Sequence, residues 1–389
     1  MSAGPTASRR SRVAPFIVME VLEQANARAR SGAEVLHLEV GEPGVPLPER
    51  ARAAVERTLC DAPLGYSEAL GLGALRERIA RAYRENYDLE VAPERIVLTV
   101  GASGGFLLAF LAAFDAGDRV ALAEPGYPAY RNILRALDLE PVAIAAGIED
   151  KFQPTPETLQ RAGPIRGLIL ASPANPTGSM LDPEALGAIA AWCRRHGVWL
   201  ISDEIYHGIT YERPAQTALA YDCDVLVINS FSKYFGLTGW RLGWMVVPER
   251  LLEPVARLAQ NLFIAPPTIS QYAALALYDA RDALDLRVAA YRRNRDRLLA
   301  ALREAGVERL SPPEGAFYLY ADITPFGADS VRLCRDMLED IGVAATPGID
   351  FDPERGHRYV RFSFAAEARV IDAACARLVP WLRRRRGSG

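Results

Sequence analysis

The middle of the chain alternates short apolar segments with segments of helical periodicity. The apolar segments are rich in residues that favour strands, and most end in Pro, Asp, Asn or Ser; they read "RVALAEP", "GLILASP", "GVWLISDE", "DVLVINS" and "RLGWMVVP". Between several of them apolar residues recur at helical spacing, as in residues 183–196. Because buried strands separated by helices form βαβ units, this pattern predicts an α/β fold with a mainly parallel sheet and helices on both faces.

The C-terminal third of the chain has a different pattern. Residues 283–305 predict a long helix ending at Gly306, followed by the strand-like "GAFYLYADI", a helix near residues 330–341 and the strand-like "HRYVRFSFA". This mixture predicts a smaller α+β domain, with which we expect the first forty or so residues to pack. The predicted division is an N-terminal arm and part of the small domain in residues 1–45, a large domain in 46–285, and an interdomain helix with the small domain in 286–389.

Composition narrows the class of protein. Of the 389 residues, 50% are apolar and 24% are charged, and the formal net charge is −3. This balance is typical of a globular protein and gives no overall attraction to nucleic acid or to an anionic membrane, so neither is expected as a partner. The four arginines at 383–386 are interpreted as a solvated C-terminal tail rather than as a nucleic-acid or targeting patch.

Cysteine usage and the N-terminal sequence indicate a reducing compartment. The five cysteines are scattered and show no C-x-x-C spacing, which indicates free thiols. The N-terminal stretch "MSAGPTASRRSRVAPF" lacks the apolar region of a secretory signal, and no apolar run reaches the roughly 18 residues of a membrane span. The four histidines show no ligand spacing, so no metal site is predicted. We expect a cytoplasmic protein.

The strongest chemical signal is the segment "SFSKYFGLTGWRLG". Lys233 follows the apolar strand "DVLVINS", with Ser230 and Ser232 beside it and Arg241 eight residues further on. Two hydroxyls and a guanidinium can hold a phosphate, and a lysine beside that anion is placed to form a Schiff base with a phosphorylated aldehyde. The alternative for Lys233 taken alone is an ordinary surface lysine.

This segment resembles the lysine signature of the class I/II aminotransferases, the aspartate aminotransferase-like enzymes of fold type I that use pyridoxal 5′-phosphate. The similarity extends from "HLEVGEP" to "VRFSFA", with the motifs in the order that the family shows. The resemblance implies a seven-stranded sheet of that fold, pyridoxal phosphate as cofactor, and a ping-pong transfer of an amino group between an L-amino acid and a 2-oxo acid.

The resemblance also assigns three catalytic residues. Lys233 would hold the cofactor as a Schiff base and move protons between the substrate α-carbon and the cofactor. Asp203, in "SDEIY", would pair with the pyridine nitrogen and keep the ring an electron sink. Tyr206 would donate a hydrogen bond to the cofactor's phenolic oxygen. From the residues alone, Asp203 could instead be a helix N-cap that follows a strand.

Further cofactor contacts are implied at three loops. Asn175, in "SPANPTG", would contact the phenolic oxygen and help to seat the substrate, and the Asn175–Pro176 bond is a candidate cis peptide. Ala102 and Ser103, in "TVGASGG", would bind the phosphate at a helix N-terminus, although an ordinary strand–helix turn is the default for such a sequence. Tyr127, in "EPGYPAY", would stack on the pyridine ring. Together with Ser230, Ser232 and Arg241, these residues complete the predicted cofactor site of one chain.

The resemblance implies a substrate site and a shared dimer. Arg361, in "YVRFSFA", would bind the substrate α-carboxylate, and Gly41, in "GEP", would add a backbone amide. Tyr66 would reach the cofactor phosphate of a second subunit. The predicted protein is therefore a homodimer whose active sites are shared between its chains.

The motifs do not identify the side chain of the substrate. Family members that act on dicarboxylic substrates often bring a second arginine from the partner subunit, but the corresponding region "AQNLFIAPPTISQ" contains no Arg or Lys. Either another basic residue binds a distal carboxylate or the side-chain pocket is apolar. Phe16, Ile17 and Phe263 could line an apolar pocket, or they could be core or dimer contacts.

Two other functions compete with transamination. A carbon–sulfur β-lyase on the same fold would use the same lysine, aspartate and arginine, and its products, ammonia and pyruvate, would distinguish it. A regulatory domain that binds the cofactor without turnover is disfavoured, because only about forty residues precede "GEP", too few for a helix-turn-helix domain with a linker.

Overall fold

The computed structural model describes residues 6–44, 46–61 and 64–386. The first five residues of the N-terminal stretch, and residue 45 at the predicted boundary, lie outside the described residues. The described helices are α1 Ile17–Arg30, α2 Glu49–Asp61, α3 Gly73–Tyr87, α4 Gly101–Ala113, α5 Pro128–Ala136, α6 Pro156–Arg161, α7 Pro183–His196, α8 Glu249–Leu262, α9 Thr268–Leu277, α10 Arg281–Glu304, α11 Ser330–Ile341 and α12 Ala368–Arg385. The strands are β1 Leu36–His37, β2 Ile96–Thr99, β3 Arg119–Glu124, β4 Glu140–Ala145, β5 Gly167–Ala171, β6 Trp199–Asp203, β7 Leu226–Ser230, β8 Gly243–Val246, β9 Tyr318–Asp322, β10 Val343–Ala344, β11 Thr346–Pro347 and β12 Tyr359–Ser363.

The largest sheet has seven strands in the order β2-β8-β7-β6-β5-β3-β4. Strand β8 runs antiparallel to both of its neighbours, and the other pairs are parallel. The five apolar segments quoted above form β3, β5, β6, β7 and β8, so the predicted α/β fold is confirmed. Leu168 and Leu170 pack into one core layer and Ile169 into another, as expected for a strand buried on both faces.

The position of the polar residues follows from this topology. Strands β5, β6 and β7 are neighbours, and Ala171 pairs with Asp203, which in turn pairs with Ile228. Because parallel strands end at the same edge of a sheet, the loops after these strands converge there. Those loops carry Asn175 and Lys233 to the edge at which Asp203 ends β6.

The C-terminal residues form two smaller sheets. Strands β11, β12 and β9 form an antiparallel sheet in which Arg361 lies between Thr346 and Tyr320. Strand β1 pairs in parallel with β10, so part of the N-terminal segment lies beside the C-terminal strands. The 24-residue helix α10 precedes the C-terminal strands and lies close to the helix predicted at 283–305.

The C-terminal arginines are mostly exposed, in agreement with the predicted solvated segment, but they end a helix and are not a free tail. They lie at the end of α12, and three of them form ion pairs: Arg383 with Glu304, Arg385 with Asp336, and Arg386 with Glu308. These pairs link the end of α12 to α10, to α11 and to the segment after α10, although exposed pairs contribute at most about 1 kcal/mol each to stability. Among the described helices, none combines the length and the apolar character needed to cross a membrane.

Candidate active site

A cavity of about 630 Å³ opens at the carboxyl edge of the large sheet. Of the residues predicted from sequence, all except Ser230 and Tyr66 line it: Gly41, Ala102, Ser103, Tyr127, Asn175, Asp203, Tyr206, Ser232, Lys233, Arg241 and Arg361. These residues come from separate segments spread over most of the chain. The fold therefore gathers the chemically interesting side chains into a single site.

Lys233 lies in the loop after β7, and its amine points into the cavity. Its Nζ donates a hydrogen bond of 2.7 Å to the carbonyl oxygen of Gly41. Burial, together with the positive charge of Arg361, lowers the pKa of Lys233 to about 8. An amine with that pKa is partly neutral near neutral pH, so it can act as a nucleophile or as a base.

The other lysine of the chain behaves differently. The sequence contains two lysines, Lys151 and Lys233. Lys151 forms ion pairs with Asp182 and Glu314 on the surface. Burial alone would lower the pKa of Lys151, but its hydrogen bonds and charge interactions with Glu314 and Asp182 outweigh burial and raise the pKa. Of the two amines, only that of Lys233 is poised for chemistry.

Asp203 is a buried carboxylate at the end of β6. Its Oδ1 accepts a hydrogen bond of 3.0 Å from the Ile205 amide, and its Oδ2 accepts one from the Tyr130 hydroxyl. Burial raises the pKa of Asp203 to about 6, although these two hydrogen bonds oppose the rise. A buried carboxylate in this state is stabilised by a cation brought into the cavity.

The N-terminus of α4 and Arg241 form one end of the cavity. Gly101 has φ +67°, and a Cβ at this position would overlap the Arg241 guanidinium, so the close approach requires glycine. Ala102 and Ser103 follow in the first turn of α4, where backbone amides point outward. With Ser232 beside them, these groups form a cradle suited to an anion such as phosphate.

Ser230 supports this cradle from outside the cavity. Its Oγ lies 2.9 Å from Ser232 Oγ and 3.1 Å from the Leu242 carbonyl oxygen. Ser230 therefore orients Ser232, and it does not line the cavity as a direct ligand would.

Arg361 is held rigidly at the other side of the cavity. Its Nη1 donates to Asn175 Oδ1 at 2.8 Å, and its Nη2 donates to the Glu39 carbonyl oxygen and, at 3.2 Å, to Thr346 Oγ1. The guanidinium carbon lies 4.4 Å from the centre of the Tyr318 ring. Within the described residues, the buried Nε of Arg361 has no hydrogen-bond partner. An incoming carboxylate would satisfy it.

Two tyrosines of the site were missed by the sequence analysis. Tyr130 donates to Asp203, and Tyr318 places its hydroxyl 2.8 Å from that of Tyr206. A Cβ at Gly41 would overlap the Tyr318 hydroxyl, so only glycine fits between that ring and Lys233. The one available signal for Tyr130 was its spacing of three residues from Tyr127, the N-cap residue of α5, which brings the two ring centres to 5.3 Å from each other.

Apolar side chains from the start of α1 form part of the cavity lining. We use "apolar wall" for Phe16, Val18, Met19 and Leu22, which line the cavity from the start of α1. Phe16 packs edge-on against Tyr127, with ring centres 5.8 Å apart. The apolar pocket that the sequence left open therefore forms, with Phe16 as the one of its three named candidates that lines it.

The other two candidates lie elsewhere. Ile17 points away from the lining of this cavity, and Phe263 packs against the hydrophobic core around α4 and α8. The reason for Ile17 is helical geometry, because successive residues of α1 face different directions.

Tyr66 is the other predicted residue that does not line this cavity. Its side chain is 84% exposed. A second cavity of about 640 Å³ adjoins the first and shares Glu42, Thr238, Gly239 and Arg241 with it. The anion cradle is thus open toward the outside of the chain through Arg241.

Two further features of the site concern the peptide backbone and metals. The Asn175–Pro176 peptide bond is cis, as the sequence analysis predicted. Across the described ranges, no cluster of three or more His, Cys, Asp or Glu side chains could hold a metal ion.

Comparison with known proteins identifies the fold and chemistry. The family model "Aminotransferase class I and II" matches residues 33–378. The valine–pyruvate aminotransferase of Mycobacterium tuberculosis is 48% identical over 378 residues, which cover 96% of this chain and 97% of that protein.

Solved structures agree with the sequence match. A crystal structure of an aminotransferase from Mycobacterium tuberculosis superposes with a TM-score of 0.96 at 47% identity, covering 98% of this chain and 100% of the other. Aspartate aminotransferase from Thermus thermophilus with maleate superposes with a TM-score of 0.90 at 33% identity, covering 97% and 99%. The chain has the fold of aspartate aminotransferase.

Proposed function

Since the chain belongs to the class I and II aminotransferase family, which uses pyridoxal 5′-phosphate, we propose that it moves the amino group of a branched apolar L-amino acid to pyruvate. Transfer follows a ping-pong cycle, in which the donor leaves as a 2-oxo acid before the acceptor binds. Because the relatives are aminotransferases by name, transfer is supported over the carbon–sulfur β-lyase alternative. The observation that carries the substrate class is the apolar wall that lines the same cavity as Arg361.

The residues of the cavity fit the family's cofactor. Its phosphate would be held by the α4 amides of Ala102 and Ser103, by the Ser232 hydroxyl and by Arg241. At the other end, burial raises the pKa of Asp203 to about 6, and a protonated pyridine nitrogen would supply the cation that this carboxylate lacks. An anion cradle and a buried carboxylate at the two ends of one cavity are what this cofactor requires.

The remaining cofactor contacts orient the ring. Tyr127 would stack on it, and Tyr206 and Asn175 would bind its phenolic oxygen. When bound, pyridoxal phosphate supplies an electron sink that acidifies the α-hydrogen of the amino acid. Lys233 would carry that proton from the α-carbon of the donor to the cofactor, and in the second half of the cycle it would deliver a proton to the α-carbon of the new amino acid, because its lowered pKa leaves a share of neutral amine at neutral pH. Tyr130 holds Asp203 in place for this role.

Arg361 would bind the α-carboxylate of both substrates. Within the described residues, its Nε is buried and has no hydrogen-bond partner. Gly41, whose amide would bind the same carboxylate, lines the cavity together with Arg361. The hydrogen bonds to Asn175 and Glu39 fix the guanidinium before the substrate arrives, so little conformational entropy is lost on binding.

The charges of the cavity favour a substrate with one carboxylate. Three cations line it, Lys233, Arg241 and Arg361, and each already has a role in proton transfer, phosphate binding or α-carboxylate binding. Residues 259–271, the family's source of a second arginine, contain no Arg or Lys. The donor side chain would therefore meet the apolar wall, where none of these three cations is left to pair with a distal carboxylate.

A panel of donors tests this substrate class. With pyruvate as acceptor, we expect kcat/KM for valine to exceed that for aspartate and for glutamate by at least about 100-fold, the cost of burying an unpaired carboxylate. Alanine formation and release of the matching 2-oxo acid would be quantified for each donor. A preference for aspartate or glutamate would overturn the proposed substrate class while leaving the aminotransferase assignment intact.

A variant of the apolar wall sharpens the test. Met19→Arg would add a cation to the cavity lining, so the preference for valine over aspartate should fall by about tenfold or more. Gln24→Arg is the matched control, because it adds the same charge to the exposed side of α1. If both variants change the preference equally, the effect comes from long-range charge and not from the wall.

We also propose that two copies of the chain form a dimer with shared active sites. Leu64, Tyr66, Leu262 and Ile264 are all exposed. Thr268 donates to the Gly65 carbonyl oxygen at 2.7 Å, which ties the two segments that carry these residues into one patch. An exposed apolar patch of this kind is typical of an interface. The open side of the anion cradle at Arg241 gives Tyr66 of a second copy a place to reach the phosphate.

Complementation tests the shared site. Lys233→Ala and Tyr66→Ala should each be impaired as homodimers, the latter through cofactor affinity weakened by about tenfold. After subunit exchange at equal concentrations, half of the dimers are mixed, and each mixed dimer holds one intact site. Activity should then recover to about one quarter of the parental value. A mixture no more active than the mean of its components would contradict a site built from two chains.

A further inference from the structure

Asp350 caps helix α1 from a distant part of the chain. It lies in the turn Gly348–Asp350 after β11, and its side chain is buried. Its Oδ1 accepts from the Ile17 amide and its Oδ2 from the Val18 amide, both at 3.2 Å. Phe16, at the N-cap position of α1, provides no side-chain cap of its own. The carboxylate thus satisfies two helix-terminal donors that would otherwise lack an intrahelical partner.

These two bonds act on the part of α1 that lines the active site. The apolar wall begins at Phe16 and continues through the first two turns of the helix. Phe16 also packs against Tyr127, the residue proposed to stack on the cofactor. A shift at the start of α1 would therefore move the surface that the substrate side chain contacts.

The turn that carries Asp350 is itself fixed to the substrate-binding strand. Strand β11 pairs with β12, so that Thr346 of β11 lies opposite Arg361 of β12. The buried Arg131 of α5 donates to the backbone oxygen of Asp350 and lies 3.5 Å from that of Phe351. Asp350 therefore connects the apolar wall to the arginine that would bind the α-carboxylate.

We propose that Asp350 is a positioning residue that sets the distance between the apolar wall and Arg361 and thereby selects branched over small donor side chains. This inference rests on the proposed function, because it takes the wall as the side-chain pocket. Asp350 touches no reacting atom; it acts through the first turn of α1. A branched side chain fills the gap between wall and arginine, whereas a methyl group leaves it empty, so valine depends on the wall and alanine does not.

The test compares Asp350→Ala with a matched control. Asp329 caps α11 by the same kind of bond, to the Arg332 amide at 3.0 Å, and α11 lines no part of the cavity. In Asp350→Ala, the ratio of kcat/KM for valine to that for alanine should fall about fivefold or more, as expected for loss of a helix cap. Asp329→Ala should leave this ratio unchanged. Asp350→Asn keeps the shape of the side chain and one hydrogen-bond acceptor, so it should lower this ratio by a smaller factor. It replaces the alanine variant in the test if that variant does not fold.

Two further readouts separate positioning from general stability. In the holoenzyme, affinity for 3-methylbutanoate should weaken in Asp350→Ala while affinity for acetate holds, because only the former reaches the wall. Amide exchange should accelerate at residues 17 and 18, but not in α11. Equal losses for valine and alanine, or unchanged exchange at residues 17 and 18, would overturn the inference. A parent enzyme that does not use valine would overturn the proposed function instead, and amide exchange would still decide the role of Asp350.

Discussion

A Lys233→Ala variant should lose amino-group transfer by at least about 10⁴-fold, because it removes both the amine that would hold the cofactor and the base that moves the α-proton. The fold should persist. Burial and nearby Arg361 lower the pKa of Lys233 to about 8, so below that pH the folded state holds a buried charge that the unfolded state would solvate. Removing it should leave the melting temperature of the cofactor-free protein at pH 7 unchanged or raised.

The chain offers one matched control for this experiment. Lys151→Ala removes the only other lysine, which lies on the surface in ion pairs with Asp182 and Glu314. Its transfer rate should stay within about twofold of the parent, since exposed ion pairs contribute little. Near-parental turnover in Lys233→Ala, measured as alanine formed from pyruvate, would refute the assignment of the catalytic lysine.

Arg361→Leu should lower kcat/KM for the amino acid by about 100- to 1,000-fold, the effect of removing one partner of a buried charge pair. Cofactor affinity should change by less than about threefold, because the anion cradle lies at Arg241. Arg361→Lys keeps the charge but loses the fork of donors, so it should recover only part of the loss. Donor titrations and cofactor equilibrium measurements on the same preparations would separate the two affinities.

Arg358→Leu is the control for this position. Arg358 lies immediately before β12, where its exposed side chain pairs with the buried Asp322, 3.6 Å away and on a strand that does not line the cavity through this residue. It should affect neither affinity. If Arg361→Leu weakens the cofactor more than the amino acid, the roles proposed for Arg361 and Arg241 have been exchanged.

The parts of the site that the sequence could predict lie at strand ends or in local motifs. Asp203 ends one apolar strand and Lys233 follows another, and both strands can be recognised from their apolar residues. A parallel sheet brings the carboxyl ends of such strands together. The cradle at Ala102 and Ser103 is likewise local, since it is a glycine-rich turn at the start of one helix. Their meeting in one cavity follows from the topology.

The parts that could not be predicted depend on contacts between distant segments. Asp350 caps a helix more than 300 residues before it, and no local sequence motif in either segment indicates these hydrogen bonds. Tyr318 is one of several aromatic residues in a buried strand, and its role appears only when β9 lies beside Gly41 and Tyr206. Sequence periodicity shows which residues are buried, but not which partner each one meets.

The most direct test of the account is the visible absorption of the purified holoenzyme during titration, first with valine and then with pyruvate. The account predicts that valine changes the absorption of the bound cofactor with release of its 2-oxo acid, and that pyruvate restores the absorption with formation of alanine. Aspartate at the same concentration should leave the spectrum unchanged. A spectrum that valine does not change, or release of ammonia without formation of a new amino acid, would contradict amino-group transfer from valine to pyruvate.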